Sequence, residues 1–120
     1  MNNYILEKRT TESIFYDIDC THLLDTNETI SSITSITSDQ TGITFSNQAI
    51  NSVAVTFSDG TTAAIGKVIS VLISAGTIPN GAINQIYTIR PLFVTNESNI
   101  REATVLLNVT NNPIQLGRIL

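Results

Sequence analysis

The chain has 120 residues, of which 42% are hydrophobic and 13% charged, and its formal net charge is −4. This length fits one domain with a single core, and the apolar content excludes a disordered chain. Basic residues do not cluster beyond Lys8-Arg9, which disfavours nucleic-acid binding. No apolar run approaches the length of a membrane-spanning helix, so we expect neither nucleic acid nor a membrane among the partners.

The first eleven residues combine an apolar start with a charged end. Tyr4, Ile5 and Leu6 precede Glu7-Lys8-Arg9. This composition predicts an N-terminal arm over residues 1–11 that either adds an edge strand to a sheet or reaches a partner.

Two features of the sequence bear on where the chain folds. Met1-Asn2-Asn3-Tyr4 lacks the charged-then-apolar layout of a signal peptide. Cys20 is the single cysteine, whereas small secreted domains usually carry several in disulfides. We therefore expect a protein made and folded in a cytoplasm.

Alternating apolar and polar residues predict short strands through the first half of the chain. These strands are expected at 13–20, 28–37, 43–46 and 52–57. Leu23-Leu24 is expected to form a short helical turn between the first two. Asp59-Gly60 predicts a tight hairpin, with Ala63–Ser74 as its return strand. Because Ala63–Ser74 is apolar on both faces, we expect it either to be a central strand or to have its outer face covered by another part of the protein.

A long antiparallel hairpin is predicted near the C-terminus. Its strands are Ile83–Thr95 and Ile100–Thr110, joined by the turn at residues 96–99. One apolar row on each strand requires a second layer to cover it. Pro113 removes a backbone donor, so the last strand should stop near Thr110.

The strand pattern predicts an all-β fold. About seven short strands separated by turn signals are typical of an immunoglobulin-like antiparallel β-sandwich. A small open barrel is the competing architecture. In the sandwich interpretation residues 12–110 form the domain, and residues 1–11 and 111–120 form extended arms.

Few residues suggest chemistry. Cys20 and His22 could form a thiolate–imidazole pair, but a small buried thiol followed by a loop histidine is the favoured interpretation. Asp17, Asp19, His22 and Asp25 could ligate a cation, but solvated carboxylates on an outward strand face are favoured. We therefore expect no enzyme activity, no catalytic residue, no metal and no other cofactor.

Two arginines of the long hairpin are expected to form ion pairs. Arg90 or Arg101 should pair across the strands with Glu97 or Glu102.

Apolar side chains at both ends and on nominally outer strand faces are candidates for contact with a partner. The candidate interface residues are Tyr4, Ile5, Leu6, Val68, Leu72, Pro113, Ile114, Leu116, Arg118, Ile119 and Leu120. Ile86 and Leu106 extend the outer apolar set. Docking of the two ends onto the chain's own sheet is the alternative to a partner contact.

Several short motifs together resemble one family. The motifs are Phe15-Tyr16-Asp17-Ile18-Asp19-Cys20 with Leu24, Glu28-Thr29-Ile30-Ser31-Ser32, Gly42-Ile43-Thr44, Gly76-Thr77, Tyr87-Thr88-Ile89, and Arg101-Glu102 leading into Val105, Leu107 and Val109. They resemble the small immunoglobulin-like virion proteins of tailed bacteriophages and prophages. The chain departs from that pattern at Cys20, where tryptophan is common, and in the longer stretch 43–81.

The resemblance implies a structural, non-enzymatic role on a virion. It favours a capsid cement or decoration protein whose partners are the major capsid protein or other virion subunits, with a homo-oligomer also open. Made and folded in the bacterial cytoplasm, it would reside on the particle. The alternative is a receptor- or glycan-binding domain of a phage tail or bacterial surface, acting through loops such as 38–42 and 75–82.

Overall fold

The computed structural model describes residues 5–111, and the fold over this range is all-β. The strands are β1 (Ile5–Lys8), β2 (Ile14–Asp19), β3 (Ile30–Ser38), β4 (Ile43–Ile50), β5 (Val55–Thr56), β6 (Thr62–Ala63), β7 (Val68–Ala75), β8 (Asn84–Thr95), β9 (Ile100–Glu102) and β10 (Val105–Thr110). Within the same range a 3₁₀ turn covers Thr21–Leu23, where the short helical turn is expected. No helix in residues 5–111 has the length and apolar character needed to cross a membrane.

Two sheets carry most of the strands. The larger has the order β1-β10-β8-β3, with β9 also paired to β8, and the smaller has the order β2-β7-β4. All pairs are antiparallel except β1 with β10, which is parallel. One buried apolar cluster draws residues from both sheets, including Ile69, Val71 and Ile73 of β7 and Tyr87, Ile89 and Phe93 of β8. This arrangement is compatible with a β-sandwich.

The long C-terminal hairpin has the predicted strands, but its return strand is interrupted. Leu92 lies opposite Glu102 and Ile89 lies opposite Val105, so the register is the same on both sides of the gap. At the gap the Ala103 amide donates to the Pro91 carbonyl at 2.9 Å. Two residues paired in this way normally exchange two backbone hydrogen bonds, but Pro91 has no amide proton with which to donate the second. The interruption between β9 and β10 therefore follows from Pro91.

The prediction that Ala63–Ser74 is one return strand is wrong. Only Thr62–Ala63 pairs with Val55–Thr56, although the Asp59-Gly60 hairpin itself is present, with Gly60 at a φ of 89°. The chain then turns, and β7 enters the smaller sheet between β2 and β4. The expected central position is thus confirmed for β7, residues 68–75.

Asn51 explains why the strand divides there. Its Oδ1 accepts the amides of Lys67 and Val68, each at 3.0 Å, and its Nδ2 donates to the carbonyls of Val53 and Ala64. These bonds close residues 51–67 into a separate excursion. Because they join residues far apart in sequence, the alternation of apolar residues does not reveal them.

Residues 5–8 form an edge strand, which is one of the two alternatives predicted for the N-terminal segment. Leu6 packs against the core, and Lys8 is buried with its ammonium group donating to the carbonyls of Arg9 and Ala75. The Tyr16 hydroxyl donates to the Glu7 carbonyl at 2.5 Å and so occupies one backbone acceptor of the edge strand.

Candidate interaction surface

Glu28 organises a buried polar cluster at one end of the larger sheet. Its carboxylate accepts four hydrogen bonds, from the Asp25 amide (3.0 Å), the Thr95 hydroxyl (2.6 Å), Asn99 Nδ2 (2.7 Å) and Arg101 Nε (3.2 Å). Hydrogen bonds from Thr95 and Asn99, opposed by burial and helped by Asp25 and Arg101, lower the Glu28 pKa to about 2. The cluster fastens the turn after β8 to the start of β3.

Asp25, Glu28 and Glu97 form the one group of acidic residues in the described range whose carboxylate oxygens lie within 4.8 Å of one another. Arg101 already supplies positive charge there, with Nη2 at 3.2 Å from Glu28 and 4.0 Å from Asp25. Of the four residues weighed from the sequence as cation ligands, only Asp25 belongs to this group. Asp19 instead accepts the amide and hydroxyl of Thr21.

The arginines of the hairpin divide between the two faces of the sheet. Arg90 lies 4.0 Å from Glu102, as expected for a cross-strand pair. Arg101 instead turns inward to Glu28. A buried role for Glu28 is missed by sequence reasoning, because its partners lie 67 to 73 residues away along the chain.

Cys20 is fully buried at the end of β2 and its thiol donates to the Ile18 carbonyl at 3.7 Å. Burial, with a smaller effect of the Asp19 charge, raises the Cys20 pKa to about 12. A thiol with so high a pKa is a poor nucleophile at neutral pH. The geometry therefore favours the interpretation of Cys20 as a small buried hydrophobe.

An exposed apolar row lies on the outer face of the larger sheet. Ile5, Ile86 and Leu106 are 51%, 41% and 38% exposed. Ile5 lies directly opposite Leu106, and Ile86 lies two residues from Thr88, which is the other partner of Leu106. The three side chains therefore share one face, and we refer to them as the outer apolar row.

The backbone beneath this row is held on both sides. Ile86 pairs with Asn108 of β10, and its carbonyl also accepts Gln40 Nε2 at 3.1 Å. Asp39 accepts the Thr88 amide at 2.8 Å, so the turn after β3 extends the pairing along β8. Ile86 is thus presented by a strand that is bonded on both sides rather than by a loop, while Ile5 lies on the edge strand β1.

The interface residues predicted from the sequence fall into three groups: exposed residues, buried residues and residues outside the described range. Ile86 and Leu106 are exposed on the outer face as expected, and Ile5, predicted as part of the N-terminal arm, is exposed beside them, whereas Leu6 is half-buried against the core. The assignment of Val68 to an outer surface is wrong: Val68 is fully buried, bonded through its backbone to Asn51. Tyr4, Pro113, Ile114, Leu116, Arg118, Ile119 and Leu120 lie outside the described residues.

The outer face of the smaller sheet has a different character. Phe15 is 57% exposed and lies opposite Leu72, which is half-buried and in turn opposite Ser46. The next residues along that face include Asp17 opposite Ser70. This face therefore offers one exposed aromatic side chain beside half-buried Leu72, with polar residues around the pair, rather than an exposed aliphatic row.

An open pocket of about 440 Å³ lies at the end of the larger sheet, lined by residues 78–83 and Asn111. It falls in the loop that the sequence suggests for ligand contact. No protein-family model, curated protein or solved structure matches the chain. Any function must therefore be inferred from the fold and from the surfaces described above.

Proposed function

We propose that the chain is an immunoglobulin-like domain. Its seven main strands are β1, β2, β3, β4, β7, β8 and β10. Strands β2, β7 and β4 form one sheet, and strands β3, β8 and β10 lie side by side in the other. This corresponds to the B-E-D and C-F-G groups of that fold. The β5–β6 excursion is then an insertion between the fourth and fifth strands.

Tyr87 supports the same proposal. It is buried near the start of β8, and its hydroxyl accepts the Thr77 amide at 2.9 Å and donates to the Thr77 carbonyl at 3.1 Å. Immunoglobulin folds carry a tyrosine near the start of strand F whose hydroxyl bonds to the backbone a few residues upstream. Tyr87 has the corresponding place, and its backbone partner Thr77 lies ten residues upstream.

We further propose that the chain is a non-enzymatic structural protein of a bacteriophage particle, acting as a capsid cement or decoration protein, which is the role that the resemblance of its motifs implies. The observation that carries this proposal is the outer apolar row, since an aliphatic group exposed on a rigid sheet marks a contact with another protein. Burying such a surface against the assembled shell, and not against free subunits, stabilises the shell by mass action. The major capsid protein is the expected partner.

The test is quantitative mass spectrometry of purified particles from the source organism. We expect copies of this chain in a simple ratio to the major capsid protein. A handful of copies per particle would place it in the neck or tail instead. Absence from every particle preparation would overturn the virion proposal.

The terminal arm can be tested on particles stripped of this chain. A chain ending at Asn111 keeps the bonds from Thr10 to Asn111 but loses the apolar side chains of residues 112–120. We expect it to fold, as judged by circular dichroism, and to fail to rebind. Rebinding as tight as that of the full chain would contradict a role for the arm.

The second candidate is a receptor- or glycan-binding immunoglobulin-like domain. The open pocket at residues 78–83 favours it, because loops on a rigid sandwich commonly carry binding sites. In that case Asn80→Ala would reduce binding to isolated cell-wall glycans while loss of residues 112–120 would not. No binding of the full chain to such glycans would remove this candidate.

A further inference from the structure

Two exposed turns each place an aspartate or an asparagine directly before a glycine. Asp59-Gly60 lies between β5 and β6, and Asn80-Gly81 lies in the loop before β8. Both glycines have a positive φ, 89° at Gly60 and 84° at Gly81. The two turns are therefore alike in exposure and in glycine conformation, and they differ in their hydrogen bonds.

The Asp59-Gly60 turn is held through both of these residues. The Gly60 amide donates to the Phe57 carbonyl at 2.9 Å. Asp59 Oδ1 accepts the Thr61 amide at 3.0 Å and the Thr61 hydroxyl at 2.6 Å. These bonds hold the Asp59 carboxylate against Thr61 and the Gly60 nitrogen against Phe57, so neither group is free to approach the other.

The Asn80-Gly81 turn is held only at its ends. The Ala82 amide donates to the Pro79 carbonyl at 3.0 Å, which closes a four-residue turn around the two residues. Within residues 5–111, neither the Asn80 carboxamide nor the Gly81 amide has a hydrogen-bond partner. The space around Gly81 is also open, because a Cβ added there would meet no atom within 4 Å. The Gly81 nitrogen is therefore accessible to the side chain that precedes it.

We infer that Asn80 is a site of spontaneous deamidation, at which the asparagine converts to aspartate and isoaspartate. The Gly81 nitrogen gives up its proton and bonds to Cγ of Asn80, while the Cγ–Nδ2 bond breaks and the nitrogen, having taken up a proton, leaves as ammonia. The succinimide ring that remains is opened by water. Attack of water at Cγ gives aspartate, and attack at the main-chain carbonyl carbon gives isoaspartate.

This reaction would change the open pocket at the end of the larger sheet. Asn80 and Gly81 line that pocket together with Asn111. Either product adds one negative charge to a chain whose net charge is −4, and isoaspartate also lengthens the main chain by one carbon. The added carboxylate disfavours anionic ligands in the pocket and favours cationic ones. The inference does not depend on the proposed function, because the reaction needs only the folded chain and water.

The first test follows positions 59 and 80 while the folded chain is kept at mildly alkaline pH. Tandem mass spectrometry with electron-transfer fragmentation distinguishes isoaspartate from aspartate, and the same incubation in urea gives the rate of each site in the unfolded chain. We expect the folded chain to deamidate at Asn80 at no less than about a tenth of the unfolded rate. Isoaspartate at position 59 should form only in urea. Protection of Asn80 to the same degree as Asp59 would overturn the inference.

Two variants separate the chemistry of the residues from the effect of the turn. Asn80→Gln keeps a carboxamide but requires a larger ring, so position 80 should stay unmodified. Asp59→Asn is the matched control, because it creates a second asparagine–glycine pair in the turn that holds both residues. In the folded Asp59→Asn chain, position 59 should deamidate at least about tenfold more slowly than Asn80. Equal rates at the two positions would show that the hydrogen bonds of the turn do not select the site, and would overturn the inference.

Discussion

Two buried charges lie at opposite ends of β8 and are held in different ways. Glu28, beside Thr95 at one end, accepts four hydrogen bonds and contacts a guanidinium group. Lys8 lies at the other end, since it pairs with Val109, which in turn pairs with Gln85 of β8. Its ammonium group donates to two backbone carbonyls. A buried charge is stabilised by the number and charge of its partners and not by burial itself.

The pKa values of the two groups express this difference. Both pKa values are lowered, which favours the charged form of Glu28 but the neutral form of Lys8. The pKa of Glu28 falls to about 2 because hydrogen bonds from Thr95 and Asn99 favour the carboxylate. The pKa of Lys8 falls because burial disfavours the ammonium form, with Glu12 opposing this effect. The environment thus favours the charge on Glu28 and opposes the charge on Lys8.

Replacing Glu28 should have the largest effect. Glu28→Gln leaves Arg101 without its buried partner and presents an NH₂ group to donors that need an acceptor. We expect the melting temperature to fall by on the order of 10 °C. Glu102→Gln is the matched control, since the Arg90–Glu102 pair is largely exposed at 4.0 Å and should contribute little. Equal losses in both variants, measured by differential scanning calorimetry, would contradict the buried cluster's role.

Acid should remove the same stabilisation. Because the folded-state pKa of Glu28 lies below its ordinary value of 4.5, its contribution is complete above that pH and is lost as the pH falls toward about 2. Urea denaturation from pH 6 to pH 2 should show a decline in unfolding free energy that is shallower in Glu28→Gln. Identical slopes in the two proteins would exclude Glu28 as a source of the acid sensitivity.

Replacing Lys8 should have the smallest effect on the melting temperature. Lys8→Met removes an ammonium group whose burial is unfavourable but also leaves two carbonyls without a donor. These effects should offset one another, with the melting temperature at neutral pH changing by less than about 3 °C.

The dependence of the unfolding free energy on alkaline pH tests the charge on Lys8 directly. Because the folded-state pKa of Lys8 is lowered, the folded state releases its proton first, and stability should rise with pH toward 10.5, the ordinary value. The difference in unfolding free energy between the two proteins should therefore shift in favour of the natural chain as the pH rises. No change in that difference between pH 7 and pH 10.5 would show that Lys8 does not titrate as described.

Local pattern predicts much of this fold because a strand with one buried face leaves a period of two in its own sequence. Ile14 to Asp19 and Asn84 to Thr95 are strands within a residue or so of their predicted ends. The exposure of Ile86 and Leu106 follows from the same alternation. The N-terminal strand is foreseen only as one of two alternatives.

What the alternation cannot show is how distant segments meet. Val68 stands at an outward position of its strand yet is buried beside Asn51. Glu28 reads as the polar start of a strand, but its partners come from the turn and strand after β8. The sequence by itself determined the all-β class and most strand positions, because those depend on neighbouring residues. Only the tertiary structure decided the division at residues 63–68, the two buried charges and the position of the outer apolar row, because these depend on contacts between residues far apart in the chain.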